Sequence, residues 1–172
     1  MIYEIKDTNK ISPLFGHWEE TLIWSCLQGI MGKIYANDLT APTAAMAVIG
    51  DFTFFAGEPC PELIAYRPPH CTQNFMIAVP QNKLWENMLT QFYGKKAKII
   101  SRYATKKEPP IFNKHHLEKI VASLPKQYTL SMIDSHFYKL CKSEAWSKDL
   151  VSQFSTYEKY RRLGIGVVIS KD

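Results

Sequence analysis

Apolar side chains recur at every fourth position near the start of the chain. This spacing predicts one amphipathic helix, because 3.6 residues make a helical turn. Its buried stripe is formed by Leu14, Trp18, Leu22, Cys26 and Ile30. Gly29 and Gly32 lie on either side of Ile30, and they predict where the helix ends.

The next segments are typical of strands. Residues 33–36, 44–49 and 51–56 are rich in apolar, aromatic and β-branched side chains. Because Gly50 and Asp51 lie between the last two, these two strands are expected to form an antiparallel pair. Pro59 and Pro61 then predict a short helix that ends near Tyr66.

A continuous apolar run covers residues 74–79, which favours a strand buried on both faces. We therefore expect residues 75–79 to form a central strand. Pro80 opens the following helix and Gly94 ends it. The face of this helix expected to lie against the sheet comprises Leu84, Trp85, Met88, Leu89 and Phe92.

The second half of the chain continues to alternate between strands and helices. The pattern predicts strands at 97–105, 128–133 and 164–170, and helices after Asn113, after Asp134 and over 157–162. Residues 143–156 are more polar, which suggests a linker. The whole pattern predicts a mixed α+β fold in which helices flank a central mixed sheet, with an N-terminal α/β domain over 1–142.

Composition limits the classes of protein to consider. Hydrophobic residues make up 46% of the 172 residues, which is enough for a buried core. No apolar run is long enough to cross a bilayer, and the first residues lack a signal-peptide pattern, so we expect no membrane partner and a cytoplasmic location. The net charge of +5 is spread along the chain. A lysine-rich surface explains it more simply than a nucleic-acid partner.

The cysteines and histidines do not predict a metal site. Cys26, Cys60, Cys71 and Cys141 contain no CxxC pair, and free thiols are favoured over a disulfide. The adjacent pair His115-His116 would not share one face of a helix.

One segment matches a phosphate-binding pattern. Residues 161–166 (RRLGIG) fit R/Q-x-x-G-x-G, the pyrophosphate loop of acetyl-CoA-dependent transferases. Such a loop needs a strand before it and a helix after it. Here the expected order is reversed, so a glycine-containing strand is favoured. The junction at residues 79–83 has the required order of elements, but it lacks glycine and contains Pro80, so an ordinary helix start is expected.

No complete catalytic motif is present. The candidate substrate-binding residues are Asp38, Asp51, Arg102 and Tyr103, because they lie near the ends of predicted strands. The alternative is that these residues form turns or carry surface charge. The sequence assigns no catalytic residue.

Several segments together resemble a known family. They are residues 28–35 (QGIMGKIY), 38–45 (DLTAPTAA), 50–57 (GDFTFFAG), the Trp85 helix, 101–103 (SRY) and 164–169 (GIGVVI). They resemble the N-terminal region of GNAT acetyltransferases of the zwittermicin A resistance type, enzymes related to antibiotic resistance. The resemblance implies that residues 157–172 start a C-terminal catalytic domain, and that the sequence stops before its acetyl-CoA loop. The order of elements in the N-terminal domain further suggests a degenerate GNAT-like fold.

This resemblance implies a function for the longer protein. An N-acetyltransferase would transfer acetyl from acetyl-CoA to a small amine. The present chain would supply a substrate-side or structural domain, would be inactive as a fragment and would bind no cofactor tightly. The alternatives are a non-catalytic module that binds a small molecule or a protein and, less favoured, a nucleic-acid binder. The apolar C-terminal strand also suggests a homodimer formed by strand pairing.

Overall fold

The computed structural model describes residues 1–103, 105, 108 and 111–171. Five strands form one sheet in chain order, antiparallel except for the last pair, which is parallel. The strands are β1 (Tyr3–Ile5), β2 (Lys33–Ala36), β3 (Ala44–Ile49), β4 (Phe52–Gly57) and β5 (Ile77–Pro80). The predicted mixed α+β fold is confirmed.

Helices cover both faces of this sheet. On one face lie α1 (Ser12–Phe15) and α2 (Thr21–Leu27), and on the other lie α3 (Pro61–Ala65) and α4 (Lys83–Tyr93). The prediction of one helix across Leu14–Ile30 is wrong. The chain turns at Gly16, where φ is 55°, so the stripe is divided between two short helices whose apolar residues pack in the same core, whereas Ile30 lies beyond α2 and packs with Tyr138.

The alternation of side chains along the strands creates two separate cores. In β4, Phe54 packs toward α1 and α2, whereas Phe55 packs toward α3 and α4. All six residues of β3 are buried, so β3 is the central strand. The expectation that residues 75–79 form a central strand is wrong, because β5 starts at Ile77 and lies at the sheet edge. With a neighbouring strand on one side only, its side chains are half-buried.

Helix α4 presents a narrower buried face than its apolar pattern predicted. Trp85 and Leu89 are buried and Met88 is half-buried, as expected. Leu84 and Phe92 are 65% and 51% exposed, so the prediction is wrong for these two. Because Trp85 and Leu89 are four residues apart, they define the contact stripe.

The region after α4 departs most from the sequence prediction. Residues 97–103 form no strand, and Ala104 lies outside the described residues. Helix α5 (Lys114–Ala122) carries apolar side chains that are about half exposed. Two antiparallel strands, β6 (Tyr128–Met132) and β7 (Val167–Lys171), form a second sheet. Nowhere in the part of the chain described is there a helix both long and apolar enough to span a bilayer.

A third cluster of buried side chains accompanies the second sheet. It involves α6 (Ser135–Ser143), α7 (Lys148–Val151) and α8 (Tyr157–Leu163). The buried residues are Ile30, Tyr138, Val151, Phe154 and Tyr160. Part of the segment that the sequence assigned to a linker is therefore packed. The hydroxyl of Tyr138 donates a 2.8 Å hydrogen bond to the Phe154 carbonyl, which fixes that segment against α6.

Two glycines allow the chain to pass close to Tyr160. A Cβ atom at Gly164 would lie 2.6 Å from the ring of Tyr160, and a Cβ at Gly166 would lie 2.6 Å from its hydroxyl oxygen. The Gly166 Cβ would also lie 2.8 Å from Ile133 Cδ1. Among the described residues, the Tyr160 hydroxyl is the one buried side-chain polar atom that has no hydrogen-bond partner.

We predict that Trp85→Ala lowers the free energy of unfolding by about 3–5 kcal/mol, because it removes a large, fully buried side chain. Leu84→Ala is the matched control on the same helix, and its cost should stay below about 1 kcal/mol because Leu84 is exposed. Chemical denaturation of both variants measures the difference. Equal losses would show that the assignment of the buried face is wrong.

Gly166→Ala should destabilise the protein by roughly 1–3 kcal/mol, because the added methyl group overlaps Tyr160 and Ile133. Tyr160→Phe removes an unpartnered buried hydroxyl, so its own effect should be neutral or stabilising. A double-mutant cycle followed by urea unfolding should show that Tyr160→Phe recovers part of the Gly166→Ala loss. Strict additivity would contradict the contact.

Candidate functional site

The junction between β5 and α4 has the strand–helix order that a phosphate loop requires. Two of its helical N–H donors are already used within the chain. The Asn82 side chain accepts hydrogen bonds from the backbone N–H groups of Leu84 and Trp85, at 3.0 and 3.1 Å. Pro80 contributes no N–H donor. The prediction of an ordinary helix start at this junction is confirmed.

The seam between β4 and β5 is closed at the carboxyl ends of this parallel pair, where ligands bind in many α/β sheets. The backbone N–H of Gln81 donates to the Phe55 carbonyl at 3.0 Å. The Gln81 side chain accepts from the Gly57 N–H at 3.0 Å and donates to the Leu14 carbonyl at 2.8 Å. Trp85 Nε1 donates to the Gly57 carbonyl at 2.8 Å. The polar groups at this end of the seam are therefore bonded within the chain.

The RRLGIG segment has the reverse of the order that a phosphate loop needs. Its first three residues end helix α8, and strand β7 begins after its last glycine, so the helix–strand order is as the sequence predicted. The expectation of a glycine-containing strand from residue 164 is wrong, because β7 begins only at Val167 and the glycines lie between the two elements. The space beside Gly164 and Gly166 is taken by Tyr160. These glycines are explained by close packing, and they do not form an open cradle at a helix N-terminus.

The four predicted site residues lie at different places on the surface. Asp38 closes its own turn, where its carboxylate accepts from the N–H groups of Thr40 and Ala41 at 2.7 and 2.9 Å, and these hydrogen bonds lower its pKa. Tyr103 is 96% exposed. The guanidinium of Arg102 lies 5.4 Å from the centre of the Phe52 ring. Asp51 alone lines the cleft described next.

This cleft lies beside the turn between β3 and β4, and we call it the Asp51 cleft. Its volume is about 230 Å³. Buried side chains of Met46, Phe55 and Ile64 line its apolar part. The loop between α3 and β5 adds Arg67, His70, Cys71 and Gln73, and Gln153 comes from the segment between α7 and α8. The cleft is therefore apolar on one side and polar on the other.

The two charged side chains of the cleft both act on the thiol of Cys71. Burial is the largest influence and raises the pKa of Cys71, the Arg67 guanidinium lowers it, and the Asp51 carboxylate raises it. Burial also lowers the pKa of His70. The cleft thus favours the neutral thiol of Cys71 and the neutral imidazole of His70. It is also lined by the side chains of Asp51 and Arg67.

Sequence patterns did not reveal most of this cleft. Asp51 was selected because it follows a predicted strand turn, but Arg67, Cys71 and Gln153 were not. The nearest signal was the proline-rich segment between Cys60 and Cys71. The described residues include no group of three or more His, Cys, Asp or Glu side chains that could hold a metal ion.

Comparisons with known proteins identify the family. The sequence profile of the GNAT acetyltransferase family matches residues 12–172. A crystal structure of a GCN5-related N-acetyltransferase-like protein from Streptococcus suis 89/1591 is similar, with a TM-score of 0.74 and 38% sequence identity. The match covers 96% of this chain and 66% of that chain, so this chain spans just under two thirds of that protein. No curated protein matches. The chain belongs to the GNAT acetyltransferase family.

Proposed function

We propose that residues 1–172 form the substrate-side or structural part of an N-acetyltransferase that transfers acetyl from acetyl-CoA to a small amine. Family membership supports an acetyltransferase-type function. We assign this part a non-catalytic role mainly because the seam between β4 and β5 is closed. Gln81 and Trp85 form hydrogen bonds to Gly57 there.

The described strand–helix junctions do not fit the pyrophosphate of acetyl-CoA. That group is bound by free N–H donors at a helix N-terminus. At the start of α4 two of these donors are bonded to Asn82. Helices α1 and α3 have only four and five residues and carry proline in the first turn, and α6 is capped by Asp134, whose carboxylate accepts from the Phe137 N–H and would repel a phosphate. We therefore assign the cofactor loop to residues of a longer protein, outside those described for this chain.

The order of elements supports a second unit within this chain. In the first sheet, strand β1 is followed by helices α1 and α2 and then by strand β2, which is antiparallel to β1. The second sheet has a strand, three helices and an antiparallel strand (β6, α6, α7, α8, β7). We propose that the second GNAT-like unit starts at β6, near Tyr128, instead of at residue 157 as the sequence suggested.

One face of the second sheet supports this proposal. In the first sheet, one face packs on α1 and α2 and the other on α3 and α4. Ile133, the residue after β6, packs against the third cluster, on the face of the second sheet toward α6 and α8. The opposite face exposes Leu130, Met132, Val167 and Ile169, between 39% and 60% each. We propose that further helices of the longer protein cover this apolar face, as α3 and α4 do in the first unit.

The alternative function is a non-catalytic module that binds a small molecule, and the Asp51 cleft is the observation in its favour. The expected C-terminal strand pairs with β6 of its own chain, so strand exchange is not needed to give it a partner. The homodimer, the cytoplasmic location, the resemblance to zwittermicin A resistance enzymes and the exclusion of nucleic acid stay predictions.

Calorimetric titration of acetyl-CoA is the direct test. We expect no binding to residues 1–172, and binding to a version extended by about one further domain, roughly a hundred residues. Release of free thiol in the presence of a panel of small amines should likewise require the longer version. The titration should use coenzyme A without the acetyl group as a reference ligand, and the thiol-release assay should use acetyl-CoA without an amine.

Binding of acetyl-CoA to residues 1–172 would overturn the proposal, and two variants would then locate the site. Arg161→Gln and Arg162→Gln test the RRLGIG segment without disturbing the contact between Gly164 and Tyr160. Lost binding in these variants would make that segment a phosphate site. Unchanged binding would place the cofactor elsewhere in this chain, for example at the start of α4.

A further inference from the structure

We propose that the Asp51 cleft binds a small zwitterion, whose ammonium group pairs with Asp51 and whose acidic group pairs with Arg67. This site is independent of acetyl transfer. It lies beside the β3–β4 turn, whereas Gln81 and Trp85 close the other end of β4.

The first argument is the state of the two charges. Among the described residues, the Asp51 carboxylate has no hydrogen bond or ion pair, and its backbone carbonyl accepts a 2.7 Å hydrogen bond from Ile77 N–H. Arg67 has one long contact, 3.5 Å from Nη2 to the Phe75 carbonyl. The charges are opposite and both influence Cys71, yet they do not pair with each other. Each is free to bind the opposite charge of a ligand.

The second argument is the chemistry of the space between them. Phe75 is 57% exposed and Met76 is half-buried, and both line the cleft, so they provide an accessible apolar surface for a short methylene chain. A volume of about 230 Å³ is small for a binding pocket and favours a ligand the size of an amino acid.

The third argument is its place in the fold. Gln153 belongs to the segment that packs with α6 and α8, and its amide lies 3.9 Å from the Cβ position of Gly50. The cleft is therefore shared by the first sheet and the third cluster. Binding sites often occur where two packed units meet.

The probes are two ω-amino acids, 4-aminobutyrate and 6-aminohexanoate, titrated into residues 1–172 by calorimetry. Butylamine and butyrate are matched controls that carry one charge each. We expect at least one ω-amino acid to bind at least about tenfold more tightly than either control, because each charge-assisted hydrogen bond adds about a factor of ten or more.

Alkylation of Cys71 by iodoacetamide provides a second readout in the unmodified protein. Cys71 lines the cleft and Cys60 does not, and both are partly buried free thiols. A bound ω-amino acid should slow alkylation at Cys71 and leave Cys60 unchanged. Fragment-ion mass spectrometry distinguishes the two sites in one sample, so Cys60 serves as an internal control.

Two variants test the assigned roles. Asp51→Asn keeps the backbone contact with Ile77, and Arg67→Gln removes one long hydrogen bond, so we expect both to fold. Each should weaken binding at least about tenfold. Asp51→Asn should not weaken the affinity for butyrate, because it removes a negative charge that repels this anion. Glu118→Gln and Arg162→Gln are exposed controls of matched chemistry and should bind as the parent does.

The outcomes separate this proposal from the acetyltransferase assignment. The zwitterion site would be overturned if millimolar ω-amino acid gave no heat of binding and did not slow the alkylation of Cys71, whatever the acetyl-CoA titration shows. Binding that Asp51→Asn and Arg67→Gln leave unchanged would overturn it as well. Should a variant fail to fold, protection of Cys71 in the parent protein still decides the question.

Discussion

The hydrogen bonds around Gly57 determine how the two faces of the first sheet are joined. Its N–H is bonded to Gln81 and its carbonyl to Trp85, so the end of β4 is tied to the start of α4. A side chain at Gly57 is excluded because φ is 80° and a Cβ would lie 2.2 Å from the Thr43 carbonyl oxygen. Through Gln81, the same connection reaches the Leu14 carbonyl on the opposite face. A gap between β4 and β5 would require all these bonds to break.

Strands β2, β3 and β4 were predicted within about one residue, because local composition and turn signals specify them. The errors arose where tertiary contacts decide. The helix predicted from Leu14 to Ile30 is divided because Gly16 allows a turn that leaves α1 and α2 on one core, and Ile30 packs in the third cluster. The apolar run before Pro80 indicated a central strand, but sequence periodicity contains no information about how many neighbours a strand has.

Prediction of the candidate site was weaker for the same reason. Asp51 follows a turn between two predicted strands, and that local signal selected it. Arg67 and Gln153 are separated by 86 positions in the sequence, and only the folded chain brings them to one cleft. Asp38, Arg102 and Tyr103 met the same local criterion, yet in the structure they close a turn, lie over an aromatic ring and face outward.

The segment RRLGIG illustrates why a motif must be judged by its surroundings. A phosphate loop uses glycine to bring backbone N–H groups close to an anion. In this chain the glycines bring the backbone close to Tyr160, whose ring and hydroxyl lie 2.6 Å from the positions that Cβ atoms would take. Glycine is therefore required at these two positions for close packing against Tyr160 inside the second unit. The arginines that complete the pattern lie in the last turn of α8, where a positive charge is favourable at the negative end of the helix dipole. The arginine and the two glycines that define the pattern thus each have a local structural reason to be there, and the pattern needs no bound phosphate to explain it.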